Sequence, residues 1–174
     1  MAAELHIRLA RLDEAARVRE IEDLAGELYA EVGMPDDLPG LERETIEGAT
    51  REQLLWVWAR TSDDVAMAFA LCWQRPATMH LRELGVHPAI ARRGLGRALI
   101  EHVCHEARAR ALGAVSLTTF RDPPWNAPYY AARCGFAPLA PPELPTWLEA
   151  IRRDEREAGL DRWPRLAMWR ALGG

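Results

Sequence analysis

The segment LGVHPAIARRGLGRALI, from Leu84 to Ile100, constrains the fold of this 174-residue chain more than any other stretch. It runs from the end of an apolar strand pattern through a turn at His87 and Pro88 into RRGLGR, and then directly into helical spacing. Strand, glycine loop and helix in that order place the start of a helix at the end of a strand. A helix start presents N–H groups that have no intrahelical acceptor, together with the positive end of the helix dipole. Gly94 and Gly96 have no Cβ to hold a ligand away, so an anion can reach the backbone itself. The segment reads as an anion cradle.

Spacing narrows the choice of anion. A Walker-type phosphate loop needs Lys followed by Ser or Thr after its last glycine, and Arg97 and Ala98 stand there instead. The dinucleotide fingerprint needs a third glycine where Leu99 stands, and an early place in the chain. An unrelated nucleotide-binding module is disfavoured on both counts. A formal charge of −4 argues against nucleic acid as a partner, since binding a phosphate backbone needs a basic face. Arg92, Arg93 and Arg97 concentrate positive charge at the loop, which suits a small anionic ligand.

The rest of the chain alternates strands and helices. Leu5, Ile7 and Leu9 alternate with His6, Arg8 and Ala10 as a half-buried strand. Asp13 is expected to cap a helix whose apolar face is Val18, Ile21, Ala25 and Leu28, with Gly33 as its stop. GMPDDLPG reads as a loop, and residues 41–51 as a shorter acidic helix. LLWVWA, TSDD and VAMAFALCW then form a hairpin, and residues 79–86 form a third meander strand leading into the glycine loop. The helix behind the loop buries Leu95, Leu99, Val103 and Ala107 and stops at Gly113. A fifth strand covers residues 114–119. An amphipathic helix over about residues 143–158 and a last strand in RWPRLAMWRAL complete the chain.

A second motif, WNAPYYAARCGF, follows the fifth strand: Asn126 at a helix start, Pro128 in the first turn, two tyrosines, then Gly135 and Phe136 opening a strand. Together the two motifs resemble the GNAT superfamily of acyl-CoA-dependent N-acyltransferases, over roughly residues 5–139. The loop of that family reads Q/R-x-x-G-x-G/A after a strand ending in valine. Ala91 stands here in place of the Gln or Arg, which removes a side-chain contact but no backbone donor.

The resemblance implies an α/β fold: a mixed central sheet flanked by helices on both faces, with a splay between strands four and five, in one acetyltransferase domain over residues 1–174. It implies an N-acetyltransferase that moves an acetyl group from acetyl-CoA to a primary amine by direct attack, with no metal. The alternative is a non-catalytic acyl-CoA-binding sensor or scaffold. The acceptor is a small-molecule or protein amine, with no nucleic acid and no membrane as partner, and a homodimer is left open. With no signal-peptide core and no bilayer-length apolar run, the expected compartment is cytoplasmic.

By the same resemblance, Leu84 and Val86 pair with the pantetheine arm, and Arg92, Arg93, Gly94, Leu95, Gly96 and Arg97 hold the pyrophosphate. Asn126 joins the cofactor-binding set. Glu83, in the strand leading to the acetyl group, is the general base, with His80 or water as substitutes. An ordinary carboxylate, with a pKa of about 4.3, is a weak base for this task unless water or desolvation assists it. Tyr130 is the general acid for the departing thiolate and Tyr129 packs into the core. The family tyrosine usually stands four residues before the glycine, where this chain has Ala131. The helix is therefore anchored at Asn126 and Pro128, with the extra residue absorbed toward Cys134. His102 and His105 lack a third metal ligand at suitable spacing, and Cys72, Cys104 and Cys134 read as buried thiols. Trp56, Trp58 and Trp73 read as core, and Trp125 as a loop residue beside Asn126.

Overall fold

The computed structural model of the chain describes residues 4–34 and 38–173. In chain order the elements are β1 (Leu5–Leu9), α1 (Ala15–Gly26), α2 (Arg43–Arg51), β2 (Leu55–Arg60), β3 (Ala66–Arg75), β4 (Thr78–Val86) and α3 (Leu95–Ala109). They continue as β5 (Ala114–Phe120), α4 (Ala127–Cys134), β6 (Ala137–Leu139), α5 (Thr146–Glu157) and β7 (Arg165–Ala171). The strands form one mixed seven-stranded sheet in the order β1-β2-β3-β4-β5-β7-β6, with β4 and β5 parallel, which is the expected fold class. The chain divides into two compact units, Met1–Trp73 with Arg82–Val103 and Gln74–Leu81 with Cys104–Gly174.

The first unit holds the meander. β1 pairs antiparallel with β2 from Leu5↔Arg60 to Leu9↔Trp56, and β2 pairs antiparallel with β3 with a register shift between Trp58 and Ala59. Val18 and Ile21 of α1, Ile46 of α2 and Val57, Ala68 and Phe69 of the strands lie at the centre of its core, all at most 1 % exposed. β3 is buried on both faces from Ala66 to Cys72, so its alternating large and small residues are both core rows.

Asp13 does not cap α1. A 3-10 turn over Leu12–Glu14 precedes the helix, and the Arg11 N–H donates to Glu14 Oε2 at 2.8 Å. Glu14 is drawn there because Arg8 donates to both of its oxygens at 2.8 Å. After Gly26 the chain tightens into a 3-10 segment, Glu27–Val32, closed by Gly33 at φ 75° as expected. Part of the loop expected over GMPDDLPG, residues 35–37, lies outside the described residues.

In the second unit, Thr78 to Leu81 of β4 pair in parallel with Ala114 to Leu117 of β5. The β5–β7 ladder continues beyond that point to Phe120↔Arg165. The parallel pairing thus runs from Thr78↔Ala114 to Leu81↔Leu117, while β5 keeps its other neighbour to its end. α5 buries Leu148 completely and adds an ionic cluster. Glu155 accepts from the Thr118 hydroxyl, from Arg152 and from Arg165, and Arg152 also reaches Asp161 at 3.0 Å. Burial opposes the Glu155 charge, but Arg165, Thr118 and Arg152 outweigh it and hold the carboxyl below its usual range. Among the described residues, no helix is long and apolar enough to cross a membrane.

Gly85 of β4 lies where any Cβ would overlap the ring of Phe69, which is fully buried and has nowhere to move. Gly85→Ala should therefore cost about 1–3 kcal/mol of stability, the usual penalty for overpacking a dense core. Urea unfolding monitored by tryptophan fluorescence measures it, and an unchanged midpoint would show that the ring can yield.

Candidate active site

In the first unit β4 ends at Val86, and His87 turns the chain by accepting the Ala89 N–H on Nδ1 at 3.1 Å. A 3-10 turn over Pro88–Ile90 follows, fixed by Ile90 at 5 % exposure. The backbone then becomes left-handed at Arg92 (φ 62°) and again at Gly94 (φ 77°). Left-handed backbone suits glycine and costs a residue with a Cβ about 1–2 kcal/mol, so Arg92 is held in an unfavourable conformation. α3 begins at Leu95, and Ala98 N–H donates to Gly94 O at 3.0 Å. By helix geometry the N–H groups of Leu95, Gly96 and Arg97 precede that first bond and point out of the helix end. Trp58, expected in the core, is half-buried, and its Nε1 donates to Leu95 O at 3.2 Å, tying the loop to β2. Arg92, Arg93 and Arg97 are exposed. Backbone donors, a helix start and three exposed cations make this loop able to seat a phosphate group.

Leu84 and Val86 are half-buried on the stretch of β4 leading to the loop. Glu83 between them and the meander is 36 % exposed, with Arg82 Nη1 3.6 Å from its carboxylate. A second carboxylate acts on the same region. Glu22 of α1 is 15 % exposed, and both of its oxygens lie 3.0 Å from the Leu41 N–H. Burial, and after it the charge of Glu83, push the Glu22 carboxyl up to about 7, only partly offset by the Leu41 N–H and by Arg19. Sequence reasoning missed Glu22. The available signal was its position beside Ile21 on the apolar stripe of α1, where a charged side chain is out of place.

In the second unit α4 starts at Ala127 with Pro128 in its first turn, as expected. Asn126 is buried but its side chain does not cap the helix: Nδ2 donates to Thr119 Oγ1 at 2.9 Å, while its backbone carbonyl accepts from Tyr130 N–H at 3.0 Å. Tyr130 is the buried tyrosine, its ring 6.0 Å from Phe136 and 5.8 Å from Tyr129. Tyr129, expected in the core, is half-buried, because the first turn directs Tyr130 inward. The Gly135 N–H bonds to Tyr130 O, and so does the Phe136 N–H at 3.2 Å. The last turn is thus wider than an α-turn.

His80 is fully buried, its Nδ1 2.9 Å from Ser116 Oγ and its ring edge-on to Trp147. That environment gives an amine acceptor no approach. His102 packs edge-on against buried Trp56, and Cys72, Cys104 and Cys134 are all buried. Among the described residues, no group of three His, Cys, Asp or Glu side chains is arranged to hold a metal.

A family model described as the acetyltransferase (GNAT) family matches residues 15–136. Among solved structures, the chain resembles the N-acetylglutamate synthase from Neisseria gonorrhoeae complexed with coenzyme A and N-acetyl-glutamate, at 19 % identity and a TM-score of 0.73. That match covers 100 % of this chain but only 36 % of the synthase chain, so this protein spans about a third of that length. Ard1 from Thermoplasma volcanium matches at 16 % identity and TM-score 0.69, over 98 % of this chain and 99 % of that one. The ribosomal-protein-S18-alanine N-acetyltransferase from Escherichia coli matches at 16 % and 0.69, over 98 % and 96 %. At these identities the structures establish the shared fold.

The raised Glu22 carboxyl has a thermodynamic consequence. A folded value of about 7 lies above the ordinary 4.5, so the folded state holds its proton more tightly than the unfolded one. The stabilisation from that proton is full below about 4.5 and is lost as pH rises through about 7. Glu22→Gln, which still accepts from Leu41 but never ionises, should gain on wild type by on the order of 2–3 kcal/mol between pH 4 and pH 8. Chemical unfolding of both proteins across that range checks it, and parallel curves would sink it.

Proposed function

Because the chain belongs to the acetyltransferase (GNAT) family, we propose that it is an N-acetyltransferase carrying an acetyl group from acetyl-CoA to a primary amine by direct attack, within one acetyltransferase domain. The observation that carries this reading is the β4–α3 loop, where left-handed backbone at Arg92 and Gly94 leads into the open start of α3. Its donors and charges fit a pyrophosphate. Gly94, Leu95, Gly96 and Arg97 supply the backbone groups, and Arg92, Arg93 and Arg97 supply charge, while Leu84 and Val86 offer strand backbone to the pantetheine arm. Asn126 belongs to the cofactor-binding set through its place at the start of α4.

Acetyl-CoA supplies an activated thioester, so the protein's work is to orient the two substrates and manage protons. An alkylamine with a pKa near 10.4 is mostly protonated at pH 7 and must lose a proton before it attacks. Glu83 takes that proton. The amine nitrogen then bonds to the carbonyl carbon, the C–S bond breaks with its electron pair leaving on sulfur, Tyr130 donates to the thiolate, and the proton shed by the nitrogen restores the phenol. Burial of Tyr130 against Phe136 supports this assignment, since its hydroxyl is held on a fixed ring. The acceptor is a small-molecule or protein amine, without nucleic acid or membrane, and the compartment is cytoplasmic.

Two measurements test this reading. Saturating CoA should raise the wild-type melting temperature, and Gly96→Val should stay folded and lose that rise, because its side chain fills the space of a phosphate. Thiol release over a panel of primary amines then separates catalysis from mere CoA binding, which is all a sensor or scaffold would show.

Tyr130→Phe should lower turnover about a hundredfold with acetyl-CoA binding intact, while Tyr129→Phe should keep turnover within twofold or so. The opposite pattern would assign the acid to Tyr129.

A further inference from the structure

The loop between β4 and α3 is fastened at both ends to one irregularity in the sheet of the first unit. The β2–β3 register passes from Trp58↔Ala68 to Ala59↔Ala66, which leaves Met67 as an extra residue of β3. Arg17 of α1 grips this bulge: its Nε donates to Ala66 O at 2.8 Å, and its Nη2 lies 3.4 Å from Met67 Sδ. Met67 O accepts the His87 N–H at 2.9 Å, where the loop begins. On the facing strand Trp58 Nε1 donates to Leu95 O at 3.2 Å, where the loop ends. Residues 87–95 are thus strung between two anchors, with Ile90 buried between them. Arg92 sits in that span at φ 62°. A left-handed residue with a Cβ persists only where its surroundings over-determine it, and the two anchors supply that constraint.

The Trp58 bond does more than close the span. Leu95 is the first residue of α3, so by helix geometry its carbonyl already has the Leu99 N–H to accept. The indole is a second donor to that oxygen. The Leu95 carbonyl and the Gly96 N–H belong to one peptide unit, and the Gly96 N–H is among the three at the open helix start. A donor that draws electron density onto the carbonyl oxygen makes the N–H at the other end of the same peptide a stronger donor in turn. We propose that Trp58 is a positioning residue for the pyrophosphate of the acyl-CoA, acting through the Leu95–Gly96 peptide: it fixes the first turn of α3 and strengthens the Gly96 N–H toward the anion. This rests on the reading of the β4–α3 loop as the pyrophosphate seat, and needs neither Glu83 nor Tyr130.

The experiment has two arms, both on the full chain. In the first, titration calorimetry compares CoA binding to wild type, to Trp58→Phe, and to a protein carrying 3-benzothienylalanine at position 58. That analogue keeps the shape of tryptophan and has sulfur in place of the N–H. Both substitutions should weaken CoA about fivefold, the ordinary worth of one hydrogen bond. The KM for acetyl-CoA should rise by the same factor, with a far smaller change in kcat. In the second arm, the indole proton of Trp58 is followed by NMR in 15N-labelled wild type as CoA, and separately inorganic pyrophosphate, is added. It should move downfield with both, because a Gly96 N–H engaged by an anion makes the Leu95 oxygen a better acceptor.

Wild-type affinity in the benzothienyl protein overturns the proposal, since shape alone would then suffice. So does an indole proton that stays in place while CoA saturates the protein. If the substituted proteins fail to fold, the wild-type NMR titration decides. The underlying reading fails in a different way. Without a pyrophosphate seat, CoA neither binds nor raises the melting temperature of the wild type, and both inferences fall together. Tight CoA binding with an unmoved indole proton removes the role of Trp58 alone.

Discussion

Two strands that run side by side in the same direction cannot be joined by a tight turn; the chain must travel back the full length of the first before starting the second. β4 and β5 are such a pair, from Thr78↔Ala114 to Leu81↔Leu117, and α3 makes the return over Leu95–Ala109. The crossover has to begin where β4 ends, so the N-terminus of α3 and its dipole are brought to the C-terminal end of that strand. That is the position in an α/β sheet where ligands are bound. The antiparallel partners need no such return: β2 and β3 are joined by a short turn near Asp63 and Asp64, and β3 and β4 by one near Pro76 and Ala77. The parallel pair therefore decides where α3 begins, and the rest of the sheet supports it.

Two glutamates on helices show how surroundings set the state of a buried carboxylate. Glu155 has Arg152, Arg165 and Thr118 as donors, and its carboxyl is held below the usual range despite burial. A charge so well matched gives nothing back to a passing proton. Glu22 has one backbone amide, a more distant arginine and a like-charged neighbour in Glu83, and its carboxyl is pushed up to about 7. The residue type is the same and the helix setting similar. What differs is the count of opposed charges, and with it the pH at which the proton becomes mobile.

Most of the element order was legible because it rests on local signals. Period-two alternation located β1, the LLWVWA, TSDD and VAMAFALCW pattern located the hairpin, and Gly33, read as a stop, is left-handed at φ 75°. The glycine loop was legible for a related reason: spacing and the absence of Cβ are properties of the sequence itself. The misses share another cause. Asp13 is a good helix cap by type, yet Glu14 closes the turn because Arg8, on a strand, reaches it. Asn126 is likewise a good cap, but Thr119 takes its side chain. Glu22 depends on Leu41 and Glu83, far away along the chain. Each was settled by a tertiary partner, and local propensity carries no information about such partners.

The residue in α4 that the family resemblance counts as extra joins these two kinds of information. Its existence was legible by counting from Asn126 to Gly135, but the place where a helix absorbs an insertion depends on which end is held more firmly. The start is held by Asn126, whose side chain is engaged by Thr119 while its carbonyl accepts the Tyr130 N–H. The end has a glycine free to turn left-handed and a buried Cys134 whose carbonyl is met by a long side chain, Arg170 Nη1 at 2.9 Å. A flexible arginine can follow a displaced carbonyl, whereas Asn126 and Thr119 are short and both buried. The wide turn therefore forms at Gly135, and the facing of Tyr130 is set from the helix start. An insertion that would rotate a side chain by about 100° in an unbroken helix is confined to the turn beyond the tyrosine.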